Sequence, residues 1–209
     1  MTEQRTGRSG SSRGDVRHGR ADVVRHALRV LDAYGLESLT MRRLAGELGV
    51  QPSALYHHFP NKQRLLAAVA EAILADRNPP APGEWDTEVQ AICADLRAAL
   101  LTYRDGAEVV ATTWSFGLGA RGPYDALVAR LARSHDDPVL VDAAARTLLH
   151  FVLGHVVAEQ THTQAASVGA VDTDIAVLLT GTAATYDLGV ALILDGLRAR
   201  AGEESGVRR

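Results

Sequence analysis

The sequence holds one cysteine, Cys93, in 209 residues, so no disulfide can form within the chain and a reducing cytoplasm is the expected home. Aromatic residues make up only 5%, and runs that alternate β-branched or aromatic residues with polar ones do not occur, which argues against strands. No stretch of about 18 uncharged apolar residues is found, so neither a membrane span nor a membrane partner is expected. The first 20 residues are polar and basic, without the apolar centre of a signal sequence. A G-x-S-x-G turn, a phosphate-cradling loop and a dinucleotide-binding glycine pattern are all missing, and with them the usual marks of an enzyme. Cys93 sits in apolar helical spacing and reads as a small core residue, not a nucleophile. Nor do the eight histidines suggest a metal: His57 and His58 are adjacent and point about 100° apart on a helix. His155 and Glu159 stand at i, i+4 but lack a third ligand at a familiar spacing, so no metal and no cofactor is expected.

What is present is a helical pattern with an uneven charge. Apolar residues reach 46%, enough for a core. Residues 1–64 carry eleven Lys/Arg against six Asp/Glu, a net of +5; the remainder carries eleven against nineteen, a net of −8. A basic front and an acidic rear suit a chain whose one end meets a polyanion. Residues 1–17, rich in Gly, Ser and Arg, read as a flexible basic arm, and 203–209 as a disordered tail. Helical spacing predicts helices over 19–34, 41–48, 52–58 and 62–77. The run "NPPAPG" (78–83) is a loop, and further helices are predicted over 87–103, 105–115, 123–134, 138–163, 172–180 and 184–200. The fold class is all-α, with a small domain at 18–65 and a larger one at 66–202.

Residues 40–59, "TMRRLAGELGVQPSALYHHF", follow the plan of a helix, a tight glycine turn and a second short helix. Thr40 is an N-cap, Gly49 suits a left-handed C′ position, and Pro52 fits the first turn of the next helix. With Leu55 and Phe59 turned into the core, Ser53, Ala54, Tyr56 and His57 are left on the open side. Small residues at 52–54 let a backbone approach base edges, and Pro52 or Ala54 suits contact with a thymine methyl. Tyr56, His57 and Lys62 reach phosphates, and Arg42 suits a guanine edge.

The longer run "GLESLTMRRLAGELGVQPSALYHHFPNKQRLL" (35–66) resembles the DNA-binding half of the tetracycline-repressor family of bacterial transcription regulators. Three later segments, "ALLTYRDGAEVV" (99–110), "HFVLGHVVAEQ" (150–160) and "LGVALILDGL" (188–197), are similar to the C-terminal domain of the tetracycline repressor, so the resemblance spans about 18 to 198. It implies a repressor that binds a palindromic double-stranded operator and is released by a small molecule. The implied DNA contacts are Thr40, Arg42, Gln51, Pro52, Ser53, Ala54, Tyr56, His57 and Lys62, to which the arginine-rich second helix adds Arg43. The departures are equally specific. Val110 and Ala158 stand where the tetracycline repressor has a His and a Glu that help hold a drug-bound magnesium. Ile92 replaces a drug-contacting Asn, Trp114 and Ser115 replace an Arg-Pro pair, and His150 is retained.

The frame with its metal-organising positions removed implies a hydrophobic or aromatic effector. Its expected wall is Ile92, Leu96, Val110, Thr113, Trp114, Leu127, Leu131 and Leu153, with His150, Thr113 and the partner's Gln160 as polar groups. The alternative is a helical regulator or adaptor with a filled pocket and no small-molecule inducer. Residues 147–158 and 183–194 are apolar nearly all round, as helices buried both on their own core and on a second copy would be. A homodimer seam is expected there, at Val156, Gly189, Leu192 and Gly196.

Overall fold

The computed structural model describes residues 18–207 except 76, 78, 79 and 170–174, and describes no side chains over 175–182 and 201–207. The expected arm at 1–17 lies outside the described residues. Among the described residues the regular elements are nine α-helices, without a strand. The first four are α1 (Arg20–Tyr34), α2 (Met41–Leu48), α3 (Pro52–His58) and α4 (Lys62–Ile73). The larger half holds α5 (Trp85–Leu101), α6 (Gly106–Ser115), α7 (Gly122–Leu131), α8 (Pro138–Ser167) and α9 (Ile175–Val207).

Local chemistry sets the ends of the small helices. The Asp22 carboxylate accepts from the Gly19 amide at 2.9 Å and anchors the start of α1. Thr40 Oγ1 accepts from the Arg43 amide at 3.1 Å and Asn61 Oδ1 from the Arg64 amide at 2.9 Å, each satisfying an otherwise orphaned N–H in a first turn. Gly49 closes α2 at φ 66°, where a residue with a Cβ is strained. Val23, Ala27, Leu31, Leu44, Ala45, Leu55 and Phe59 form the buried centre of this domain, and their cluster runs on without a break through α4 into the larger half.

In that half α8 is the central helix, packed by α5, α6, α7 and α9. It is long and apolar enough to cross a membrane by length and composition, yet here it is the central helix of a bundle. One nitrogen of Arg97 of α5, Nη2, donates to both carboxylate oxygens of the buried Glu159 of α8, at 2.7 and 2.9 Å. A second buried carboxylate, Glu88, accepts from the Gly83 amide at 2.8 Å and Arg133 at 2.7 Å, and also pairs with Arg130; the amide and the guanidinium hold its carboxyl below the ordinary carboxylate range.

Several expectations change. From Ile175 on, the helices expected at 172–180 and 184–200 are one helix, α9, because an isolated Gly such as Gly181 costs only about 1 kcal/mol in a helix and no proline stands nearby; 172–174 lie outside the described residues. The same helix continues to Val207, so most of the tail expected from 203 is helical. The helix α4 ends at Ile73, four residues earlier than its spacing suggests, while α8 runs four residues further, to Ser167. Val156 was expected on a partner-facing seam but is fully buried in the core of its own protomer. Gly189 also turns inward: a Cβ there would overlap the Phe151 ring of α8, so this glycine lets α8 and α9 of one chain approach. Gly196 lies on the exposed side with open space around it.

Cys93 is 1% exposed, and burial pushes its thiol up to about 12. A thiol-specific disulfide reagent at mildly alkaline pH is therefore expected to leave the native protein untouched and to titrate one thiol after unfolding in guanidinium. Prompt reaction of the native protein contradicts this packing.

Candidate DNA-binding surface and effector cleft

The helices α2 and α3 pack through Ala45, and Leu55 and Phe59, each at most 1% exposed, pin α3 to the core. The opposite side of the pair is open: Thr40, Arg42, Gln51, Ser53, Tyr56 and His57 are exposed, and Pro52, Ala54 and Lys62 half-buried. Nine of the ten residues expected at DNA are thus at least partly accessible. Arg43 is engaged elsewhere. Its guanidinium lies 3.7 Å from the centre of the Tyr34 ring, and Glu47 follows at 3.8 Å, so it braces α2 against the end of α1. Arg20, not anticipated at this site, donates to the His58 carbonyl at 3.1 Å and sits 4.3 Å over the Phe59 ring. A cation at the C-terminal end of α3 satisfies a free carbonyl and fixes the helix's angle. Only its place at the start of a basic helix hinted at this.

Behind that surface the two halves meet at the corner between α5 and α6. Gln160 of α8 reaches into the corner, donating to the Leu100 and Tyr103 carbonyls at 3.1 and 2.8 Å and accepting from the Ala107 amide at 3.2 Å. Asp105, in the left-handed region at φ 56°, accepts from the Leu36 amide of the α1–α2 turn at 2.7 Å and from Gln164. The expectation that Gln160 touches a ligand from the partner is corrected: its amide is committed to its own chain. A second bridge lies further along α4. Glu71 Oε1 accepts from the Ala120 amide at 2.7 Å, tying α4 to the loop after α6, where Ala120 holds φ 60°.

That loop borders an open cleft of about 420 Å³ lined by Trp114, Ser115, Gly117, Gly119, Arg121, Arg146 and His150. Of the ten residues expected around a ligand, its lining takes in Trp114 and His150. Ile92, Leu96, Val110, Leu127, Leu131 and Leu153 are at most 4% exposed and packed into the core, their apolar character accounted for by the bundle itself. Thr113 is buried as well, with a hydroxyl that has no hydrogen-bond partner. The cleft is therefore cationic and mostly polar, not the apolar wall expected.

The profile of bacterial regulatory proteins of the tetR family matches residues 23–69, and that of the tetracyclin repressor-like C-terminal domain matches 78–186. The chain belongs to the tetR family. Among its relatives is the class A tetracycline repressor from transposon 1721 of Escherichia coli, 36% identical over 85% of this chain and 89% of that one. The crystal structure of Mycobacterium smegmatis BioQ superposes with a TM-score of 0.79 at 39% identity, covering 87% of this chain and 98% of BioQ. BioQ with its double-stranded DNA operator superposes at 0.73 with 36% identity, over 87% and 99% of the two chains. A TetR variant from Acinetobacter baumannii AYE in complex with minocycline gives 0.72 at 31% identity, over 88% and 98%. As a tetR-family protein the chain is a DNA-binding transcriptional repressor and not an enzyme.

If Gln160 is a structural clamp, Gln160→Leu takes the side-chain acceptor from the Ala107 amide and the side-chain donor from the Leu100 and Tyr103 carbonyls, the latter keeping the Gly106 amide, and should cost about 1–3 kcal/mol of stability in urea unfolding. A stable Gln160→Leu protein altered only in ligand response would restore the ligand-contact role.

Proposed function

We propose that the chain acts as a homodimer in the cytoplasm that holds a palindromic operator and lets it go when a small molecule occupies the C-terminal half. The observation that carries this reading is the unbroken line of packing from the exposed α2–α3 surface through α4 to the loop at the Trp114 cleft, closed by the Glu71–Ala120 hydrogen bond. Two copies of α3 would enter successive major grooves about 34–36 Å apart. A ligand that binds the other spacing more tightly shifts the population away from DNA. The operator complex of BioQ and the minocycline complex of the Acinetobacter repressor support DNA and a small molecule as partner classes. The second reading, a repressor with a filled interior and no inducer, draws on the close packing of Ile92, Val110 and Leu127. The open cleft beside Trp114 favours the first.

On the DNA side, Arg42 is assigned to a base edge and Tyr56 and Lys62 to phosphates. Arg42→Ala should cost about 1–3 kcal/mol and relax one base preference, whereas Tyr56→Phe and Lys62→Ala should weaken all sequences alike. Affinity should fall with salt by a log–log slope of about −0.9 per phosphate neutralised. Binding of genomic fragments followed by anisotropy on operator variants measures both effects. Equal losses across all variants for Arg42→Ala would remove its base-reading role.

For the dimer, Leu188 and Leu192 are 60% and 64% exposed and one turn apart on α9, a hydrophobic pair that an isolated chain leaves in water. A partner seated there would bury them, so Leu192→Glu should yield a folded monomer in sedimentation and abolish operator binding. A folded wild-type monomer at micromolar concentration contradicts the seam.

A further inference from the structure

The cleft beside Trp114 has a charge that its surroundings do not predict. The chain after residue 64 carries a net charge of −8, from eleven Lys/Arg and nineteen Asp/Glu, yet the cleft lining holds two arginines and a histidine and not one carboxylate. The arginines converge on one ring: the guanidiniums of Arg121 and Arg146 lie 5.4 and 5.3 Å from the centre of Tyr124, whose ring is 5.3 Å from that of Trp114. Arg146 meets Asp142 through Nε alone, at 3.0 and 2.8 Å, which leaves its two terminal nitrogens outside that pair. Arg121 meets Asp125 at 3.4 Å, on a side chain that is 65% exposed, so the pair is loose and solvated. Glu71 is the remaining carboxylate nearby, and its oxygen is held by the Ala120 amide. His150 is exposed, and Trp114 is half-buried at the edge of the space. A volume of about 420 Å³ suits a molecule of two or three fused rings.

From this geometry we infer that the cleft takes a flat aromatic carboxylate, its ring system on Trp114 and its carboxylate between Arg121 and Arg146. The inference rests on the ligand-responsive reading above and names the chemical class of its effector. Two planar guanidiniums offer paired N–H donors that match a carboxylate, and the indole supplies an apolar face beside them. A neutral compound of the same shape keeps the stacking and forfeits the charge-assisted hydrogen bonds. The arginines therefore set specificity by charge and the tryptophan by shape.

The test is calorimetric titration of the full-length protein with 1-naphthoate and with its neutral isostere 1-naphthamide, run beside operator anisotropy with the same compounds. The acid is expected to bind about tenfold more tightly than the amide. Arg121→Gln and Arg146→Gln should each weaken the acid about tenfold and leave the amide unchanged. Trp114→Leu should weaken both compounds alike. Circular dichroism checks that these exposed-site variants stay helical. The clamp is overturned if acid and amide bind equally, if both arginine variants keep the preference for the acid, or if neither compound binds the wild type up to about 1 mM. Binding of the acid with the expected arginine dependence but without operator release upholds the clamp and sinks the effector reading.

Discussion

The amide of Gln160 in the corner between α5 and α6 is the contact on which the rest of the molecule leans. One side chain from the central helix bonds three backbone groups of that corner, the Leu100 and Tyr103 carbonyls and the Ala107 amide, and the Tyr103 carbonyl also accepts from the Gly106 amide at 3.0 Å. With the corner fixed, Asp105 is presented to the Leu36 amide, and the DNA-binding half acquires a defined seat. Because an unpaired buried amide or carbonyl costs far more than a made hydrogen bond contributes, the corner has one stable arrangement and little tolerance for others.

The two halves are thus joined at two places of different character. At the Asp105 seat the joint is polar and short, and it holds the turn after α1. Along α4 the joint is apolar, through Leu66, Val69 and Ile73, with Glu71 reaching out to the Ala120 amide on the far side. The first fixes position by hydrogen bonds, whereas the second is mainly apolar packing, closed by one part-buried hydrogen bond at the edge of a cleft.

The small domain was legible in the sequence because its determinants are local. Caps at Thr40 and Asn61, the turn at Gly49, the proline at 52 and the inward pair Leu55 and Phe59 act within one or two turns, and each appears as expected. The larger half was legible only as helices. A helix that is apolar all round must be covered, but nothing in its spacing says whether its own chain or a second copy covers it; Val156 and Gly189 went to the former and Leu192 is left open for the latter. In the same way Ile92, Val110 and Leu127 carry the composition of a ligand wall and of a helical core equally well, since both are apolar. The cleft's arginines were visible only as exposed i, i+4 pairs with Asp125 and Asp142, an arrangement found on most helix surfaces. Their meeting at one tyrosine ring comes from the crossing of α7 and α8, which no local pattern encodes.

The ring of Phe151 resting on the bare backbone at Gly189 has an implication for how this protein can vary. At that crossing an added methyl has no room unless the Phe151 ring swings aside, which would disturb the aromatic cluster around Tyr186. A position outside the expected nucleic-acid and effector contacts would then resist substitution. Mutational intolerance there reports the thickness of a helix pair, and a functional map drawn from intolerance alone would mistake it for a binding residue.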